Sequence, residues 1–142
     1  MPVKAVLDTN IWISALIAAG APKKLVEAWL AEGSFILVYP RWLIDELQNV
    51  KSKPRLAARI HPADLQNLIA LIEEDGFLVD PQHISAASRD PKDDVFLACA
   101  HASEAEYLVT GDNDLLCLSE HHGTKIVTPR QFLDFLTSAA QS

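Results

Sequence analysis

Val3–Asn10, VKAVLDTN, decides the fold: Val3 to Leu7 is a short, mostly β-branched and apolar run that ends in Asp8. Such a run reads as a strand buried on both faces, which puts Asp8 at its C-terminal tip. Moving outward, Ile11–Ala19 is rich in Ile, Leu, Ala and Trp and stops at Gly20, predicting a short helix. Pro22 opens a second helix, with Leu25, Val26, Trp29 and Leu30 at helical spacing and Gly33 at its end. Phe35–Tyr39 is the next strand. Pro40 starts a helix striped by Leu43, Leu47 and Val50, and Glu46 shares that inward stripe whereas Asp45 does not. The helix frays near Ser52–Pro54. Another runs from Pro62 through Leu65, Leu68, Ile69 and Ile72 to Gly76, and Phe77–Val79 forms a third strand. Asp80 to Asp90 reads as a loop. Asp90 and Pro91 resemble an N-cap and first helical residue, with Asp93 at the third position and Asp94 in the first or second turn. Tyr107–Thr110 and Lys125–Val127 are further strands, and Gln131–Leu136 is a closing helix behind Pro129. Strands alternating with helices predict an α/β fold whose parallel sheet is covered on both faces.

A chain of 142 residues, 49% hydrophobic and 22% charged, fits one soluble globular domain over residues 1–142 and fits neither disorder nor a membrane protein. The formal charge of -7 excludes any argument for nucleic-acid binding from bulk charge. That figure averages unlike halves. Residues 1–59 hold eight basic and five acidic side chains, net +3, whereas residues 60–142 hold four and fourteen, net -10. The basic excess is densest from Arg41 through Lys51, Lys53, Arg55 and Arg59, which is either a solvated helix and loop or a segment facing a polyanion. No apolar run reaches the roughly 18 to 20 residues of a membrane span, and the start has no long apolar signal region, so the expected location is the cytoplasm. Cys99 and Cys117 cannot form a disulfide scaffold and read as small core residues.

In open α/β sheets the binding crevice lies beyond the carboxyl ends of the strands, near a topological switch point. Asp8 ends one strand there and Asp112 follows YLVTG, so both open into the same crevice if their strands are central and parallel. Asp94 begins a helix beside them, and Glu46 points inward from another. Four acids without compensating Lys or Arg repel one another, and a low local dielectric makes this costly unless a cation binds. Mg²⁺ takes oxygen ligands, is satisfied by one or two carboxylates with retained waters, and can bridge to phosphate. The chemistry that follows is metal-assisted phosphodiester hydrolysis, which needs no side-chain nucleophile. Thr9, Asn10, Ser14 and Thr110 can hydrogen-bond near the acids, and Asn10 is the expected orienter of Asp8.

Blander roles compete for each residue. A single Asp after a strand is more often a turn or cap residue. Glu46 can pair with a basic neighbour such as Lys23, and Asp93 suits a helix cap better than a catalyst. Asp114 either caps the turn at Leu115 and Leu116 or completes a ligand set. The five histidines have no zinc-motif spacing and read as surface residues. Trp12, Trp29 and Trp42 read as packing anchors, with Trp29 or Trp42 alternatively at a subunit contact. No phosphate-loop, dinucleotide-binding or zinc-protease motif is present.

Four stretches in order resemble the PIN domain family, the PilT N-terminus ribonucleases that include toxins of toxin–antitoxin pairs. VLDTNIWISAL is similar to its first motif, carrying Asp8, Asn10 and Ser14, and PRWLIDEL to its second, carrying Glu46. DPKDDVFLACA resembles the third, with Asp94 three residues before Leu97 and four before Ala98; AEYLVTGDNDLL resembles the fourth, carrying Thr110, Asp112 and Asp114. The resemblance spans nearly the whole chain. It implies a three-layer α/β/α sandwich with a central, mainly parallel sheet of about five strands. It also implies Mg²⁺ or Mn²⁺ held between Asp8, Glu46, Asp94 and Asp112, with Asp114 as a further ligand. The doubled acid leaves the third ligand open between Asp93 and Asp94. Family members typically form dimers, cut RNA and, in the toxin branch, are inhibited by an antitoxin.

The leading expectation is therefore a divalent-metal-dependent endoribonuclease, the toxin of a toxin–antitoxin pair, with Lys51, Lys53, Arg55 and Arg59 contacting flanking phosphates of the RNA. Two alternatives stand beside it. One is a PIN-fold binding or interaction protein without catalysis, and the other a metal-dependent phosphatase of small substrates. Against a nucleophilic-aspartate phosphatase, the residue two after Asp8 is Asn10 rather than a second acid.

Overall fold

A computed structural model describes residues 2–84 and 91–140. Strand β1, Lys4–Leu7, lies at the centre of a six-stranded sheet with β2 (Ile36–Tyr39), β3 (Phe77–Leu78), β4 (Tyr107–Val109), β5 (Glu120–His121) and β6 (Thr124–Val127). The spatial order is β3-β2-β1-β4-β6-β5, parallel throughout except that β5 pairs antiparallel with β6. Ala5, Val6 and Leu7 are all buried although successive strand side chains point to opposite faces, so both faces of the central strand are covered. The expected α/β sandwich with a mainly parallel sheet is present.

The chain leaves β1 outward through β2 and β3, then returns across β1 to continue through β4 and β6. The switch point thus falls between β1 and β4, whose register pairs Leu7 with Val109. The Asp8 N–H donates to the Val109 carbonyl at 3.1 Å, which sets Asp8 level with Thr110 at the sheet's carboxyl edge.

Helix α1 (Thr9–Ile17) follows β1 directly, and α2 (Ala21–Glu32) packs between α1 and the C-terminal α8 (Pro129–Ala140). Helix α3 (Arg41–Gln48) follows β2 and passes through a 3₁₀ turn, Asn49–Ser52, into the short α4 (Pro54–Ala57) and then α5 (Pro62–Asp75). Helix α6 (Pro91–Ser103) lies against β1, β2 and β4, and α7 (Asn113–Leu116) follows β4. Trp12 and Trp29 meet edge to face in the core, with centroids 5.6 Å apart, and Phe132 packs against Phe35 and Tyr107.

Several boundaries depart from the sequence expectation. The first helix starts at Thr9 rather than Ile11, because the Asp8 carboxylate accepts the Ile11 N–H at 3.2 Å and caps it. A sixth strand exists because His122 and Gly123, with φ of 50° and 87°, form a two-residue hairpin turn that brings Glu120–His121 back along β6. Its polar residues show no alternation that would mark a strand. The proposed Asp90 cap lies outside the described residues. Among the described residues no helix is long and apolar enough to cross a membrane.

Candidate active and metal-binding site

Asp8 combines two roles that the sequence analysis set against each other. Its Oδ1 caps α1, while its Oδ2 accepts a short hydrogen bond from the Thr110 hydroxyl. Thr110, fully buried, in turn accepts the Asp112 backbone N–H at 3.0 Å. A strand-end hydroxyl thus links the tip of β1 to the loop after β4. Burial pushes the Asp8 carboxyl above its usual range, against the lowering effect of hydrogen bonds from Thr110 and the Ile11 and Asn10 backbone; the nearby Asp112 charge adds to the rise. Asn10 therefore touches Asp8 through its backbone, and the orienting side chain is Thr110 rather than the expected Asn10.

Glu46 reaches the same crevice from α3. Its Oε1 accepts the Thr9 hydroxyl at 2.8 Å and the Trp42 indole N–H at 2.9 Å, so it is held by neutral donors rather than by Lys23. Asp112 caps α7, its Oδ1 accepting the Asp114 N–H at 2.9 Å.

Around these acids lies a cavity of about 170 Å³ whose wall includes Asp8, Asn10, Glu46, Asp93 and Asp112. Lys53 and Lys92 stand on the same wall. Of the two adjacent acids on α6, it is Asp93 that lines the cavity. Asp94, expected there, is also buried but lies close enough to His121 for its charge to act on that imidazole. Asp114 and Ser14 are not on the wall either: Asp114 lies in the first turn of α7, and Ser14 is an exposed residue of α1. Of the basic segment, Lys53 alone reaches the cavity, while Lys51, Arg55 and Arg59 are exposed on the 3₁₀ turn, α4 and the chain just beyond.

Among the described residues, no three His, Cys, Asp or Glu side chains converge closely enough to hold an ion unaided. The donor set fits a hydrated hard cation rather than a tight protein cage: the wall carries carboxylates from four elements, and Mg²⁺ ordinarily keeps several waters beside one or two carboxylates. The raised Asp8 pKa marks a charge that the protein alone under-compensates.

Two readings are corrected elsewhere, and the surface histidines prove to be clustered. Trp42 is not a packing anchor, since 38% of its surface is exposed. Cys117 is exposed rather than in the core, whereas Cys99 is buried, donates to the Val79 carbonyl, and has its thiol pushed up to about 12 by burial. The histidines gather although no spacing announced it: His101 of α6 stacks on His122 at 4.1 Å and His122 meets His121 edge-on at 4.4 Å, beside a cleft of about 570 Å³. The hairpin that unites them was invisible to periodicity.

The described residues thus form a mainly parallel α/β sheet with a carboxylate-walled crevice at its switch point. The profile of the PIN domain matches residues 4–114, and the chain belongs to that family. A relative described as "Uncharacterized protein MJ1680", from Methanocaldococcus jannaschii, is 25% identical over 93% of this chain and 90% of its own length. Among solved structures, VapBC2 from Rickettsia felis, bound to a DNA fragment from its promoter, aligns with a TM-score of 0.58 at 14% identity, covering 88% of this chain and 98% of that one. The PIN domain of human SMG5 aligns with a TM-score of 0.50 at 19% identity, covering 95% and 98%. These two likenesses establish the fold.

Proposed function

We propose that this chain is a divalent-metal-dependent endoribonuclease acting as a single domain. One observation carries the reading: Asp8, Glu46, Asp93 and Asp112 share a crevice with Lys53 and Lys92 at the switch point of a PIN-family sheet. Thr110 and the start of α1 hold Asp8 in orientation, and Thr9 and Trp42 hold Glu46. Lys53 and Lys92 draw the phosphate backbone toward acids that would otherwise repel it. When bound, Mg²⁺ or Mn²⁺ would supply Lewis acidity toward a water and the phosphoryl group. Asp8, Glu46, Asp93 and Asp112 are the residues that would hold it, with Asp94 and Asp114 in outer positions.

The likeness to a VapBC complex supports extending the reading to a toxin with a protein antitoxin as partner. A small neighbouring gene, basic at one end of its product, is the corresponding genetic observation.

The test is cleavage of an RNA panel with Mg²⁺ or Mn²⁺ by wild type and Asp8→Asn. Wild type should cut and the variant should not, while both remain folded; equal cutting removes Asp8 from the mechanism. A second reading, a PIN-fold binding protein without catalysis, is favoured by the absence of a converged ligand trio among the described residues. RNA binding with no cutting by wild type under any divalent ion would select it.

A further inference from the structure

Two of the three tryptophans are core residues, Trp12 at 0% and Trp29 at 6% exposure, while Trp42 keeps 38% of its surface open. Trp42 nevertheless has a fixed orientation. Its indole N–H donates at 2.9 Å to Glu46 Oε1 one helical turn further along α3, the same oxygen that accepts the Thr9 hydroxyl. The indole N–H is thus tied to a crevice acid, while more than a third of the residue stays open to solvent next to a wall that also carries Lys53. A tethered aromatic has already given up rotamer freedom, so a flat partner gains contact area at little further entropic cost. Every nucleobase has a π-face, and unpaired RNA bases are recognised largely by stacking on aromatic side chains.

We infer that Trp42 is a stacking platform for an unpaired nucleobase next to the phosphate held in the crevice. The assignment rests on the nuclease reading above and deepens it, because it gives an unpaired base beside the scissile phosphate a named contact in this chain. A base in a duplex is already stacked on its neighbours and does not offer its face. The indole also has a positioning role through Glu46, and substitutions separate the two. Trp42→Phe keeps an aromatic face and loses the N–H donor; Trp42→Ala loses both.

The experiment uses the full chain carrying Asp8→Asn, so that a short fluorescently labelled single-stranded RNA is bound in Mg²⁺ without being cut. RNA should quench tryptophan emission, and the quench should vanish in the Asp8→Asn, Trp42→Phe double variant because Trp12 and Trp29 are buried. By anisotropy, Trp42→Ala should bind about 5- to 150-fold more weakly, the range for losing one base–aromatic stack, and Trp42→Phe within a few-fold of its parent. With Asp8 restored, Trp42→Phe should lower kcat while sparing KM, by about tenfold for a lost outer hydrogen bond to a ligand, whereas Trp42→Ala should affect both. RNA binding with no quench and no loss in Trp42→Ala overturns the assignment alone. A concentration-dependent change in Trp42 emission without RNA assigns the ring to a protein contact and overturns it as well. Wild type that neither binds nor cuts RNA removes the nuclease reading and this one together.

Discussion

Asp8→Asn removes a charge that burial opposes, and its effect on stability can be worked out separately from its effect on catalysis. Asp8 is 4% exposed, and its folded pKa lies above the ordinary 3.8 because desolvation and the Asp112 charge outweigh three hydrogen bonds. A folded pKa above the unfolded one means that the native state binds the proton more tightly. Asp8 therefore contributes stability that is fully present below the unfolded pKa and is lost as pH rises through the folded pKa. Asparagine carries no such pH dependence. Its carbonyl can still cap α1, while its amide can only donate to the Thr110 oxygen, which reverses that bond and costs the Thr110 O–H its acceptor; this is a constant offset that does not change with pH. Measured by urea unfolding in chelator, the variant should gain on wild type as pH increases from 4 to 8. The gain should level off above the folded pKa at about 1.4 kcal/mol for each unit by which that pKa exceeds the unfolded one. Adding Mg²⁺ at roughly ten times its Kd should then restore about 1.4 kcal/mol to wild type and little to the variant. A stability difference that is constant with pH, or that falls as pH rises, would refute the claim that Asp8 is an under-compensated buried charge.

Three further outcomes follow from the same geometry. Thr110→Val keeps the side-chain shape but removes a hydroxyl that lowers the Asp8 pKa and accepts the Asp112 N–H; the acid limb of a pH–activity profile should move to higher pH, with a stability loss of about 1–3 kcal/mol in chemical unfolding. Asp93→Asn should abolish metal-dependent cutting in a gel assay, whereas Asp94→Asn should reduce it by about 10- to 100-fold, as an outer group does; the reverse ranking would return the site to Asp94. Gly76→Ala should lower the urea midpoint by the equivalent of roughly 1–3 kcal/mol, since a Cβ there would lie 2.7 Å from the Ile72 carbonyl oxygen and 3.0 Å from the Tyr39 ring.

The parallel core was legible because its strands are apolar on both faces: VKAVL, FILVY and YLVT each declare a buried strand without reference to distant residues. The edges were not. Strand β5 exists through the turn at His122 and Gly123, and the cluster of His101, His121 and His122 depends on that turn meeting α6. No local period encodes such a meeting. Trp42 illustrates a related limit: a tryptophan in a helical stretch reads as a packing residue, and only the folded first turn of α3 shows it as an exposed donor to Glu46 four residues on.

The acids explain why local roles and site roles were hard to separate. Asp8 and Asp112 each cap a helix, and Asp93 is the third residue of α6, so three of the four wall carboxylates stand at helix starts. A helix start presents unpaired N–H groups and the positive end of the backbone dipole, which favours a carboxylate there. That partial charge offsets part of the repulsion among acids that share a wall with Lys53 and Lys92. A cap engages one carboxylate oxygen and leaves the other for a second task, as Asp8 does in reaching Thr110. Capping is then the means by which Asp8 and Asp112 are aimed at one crevice before any cation arrives. Replacing these caps by full ion pairs would quench the crevice instead of preparing it.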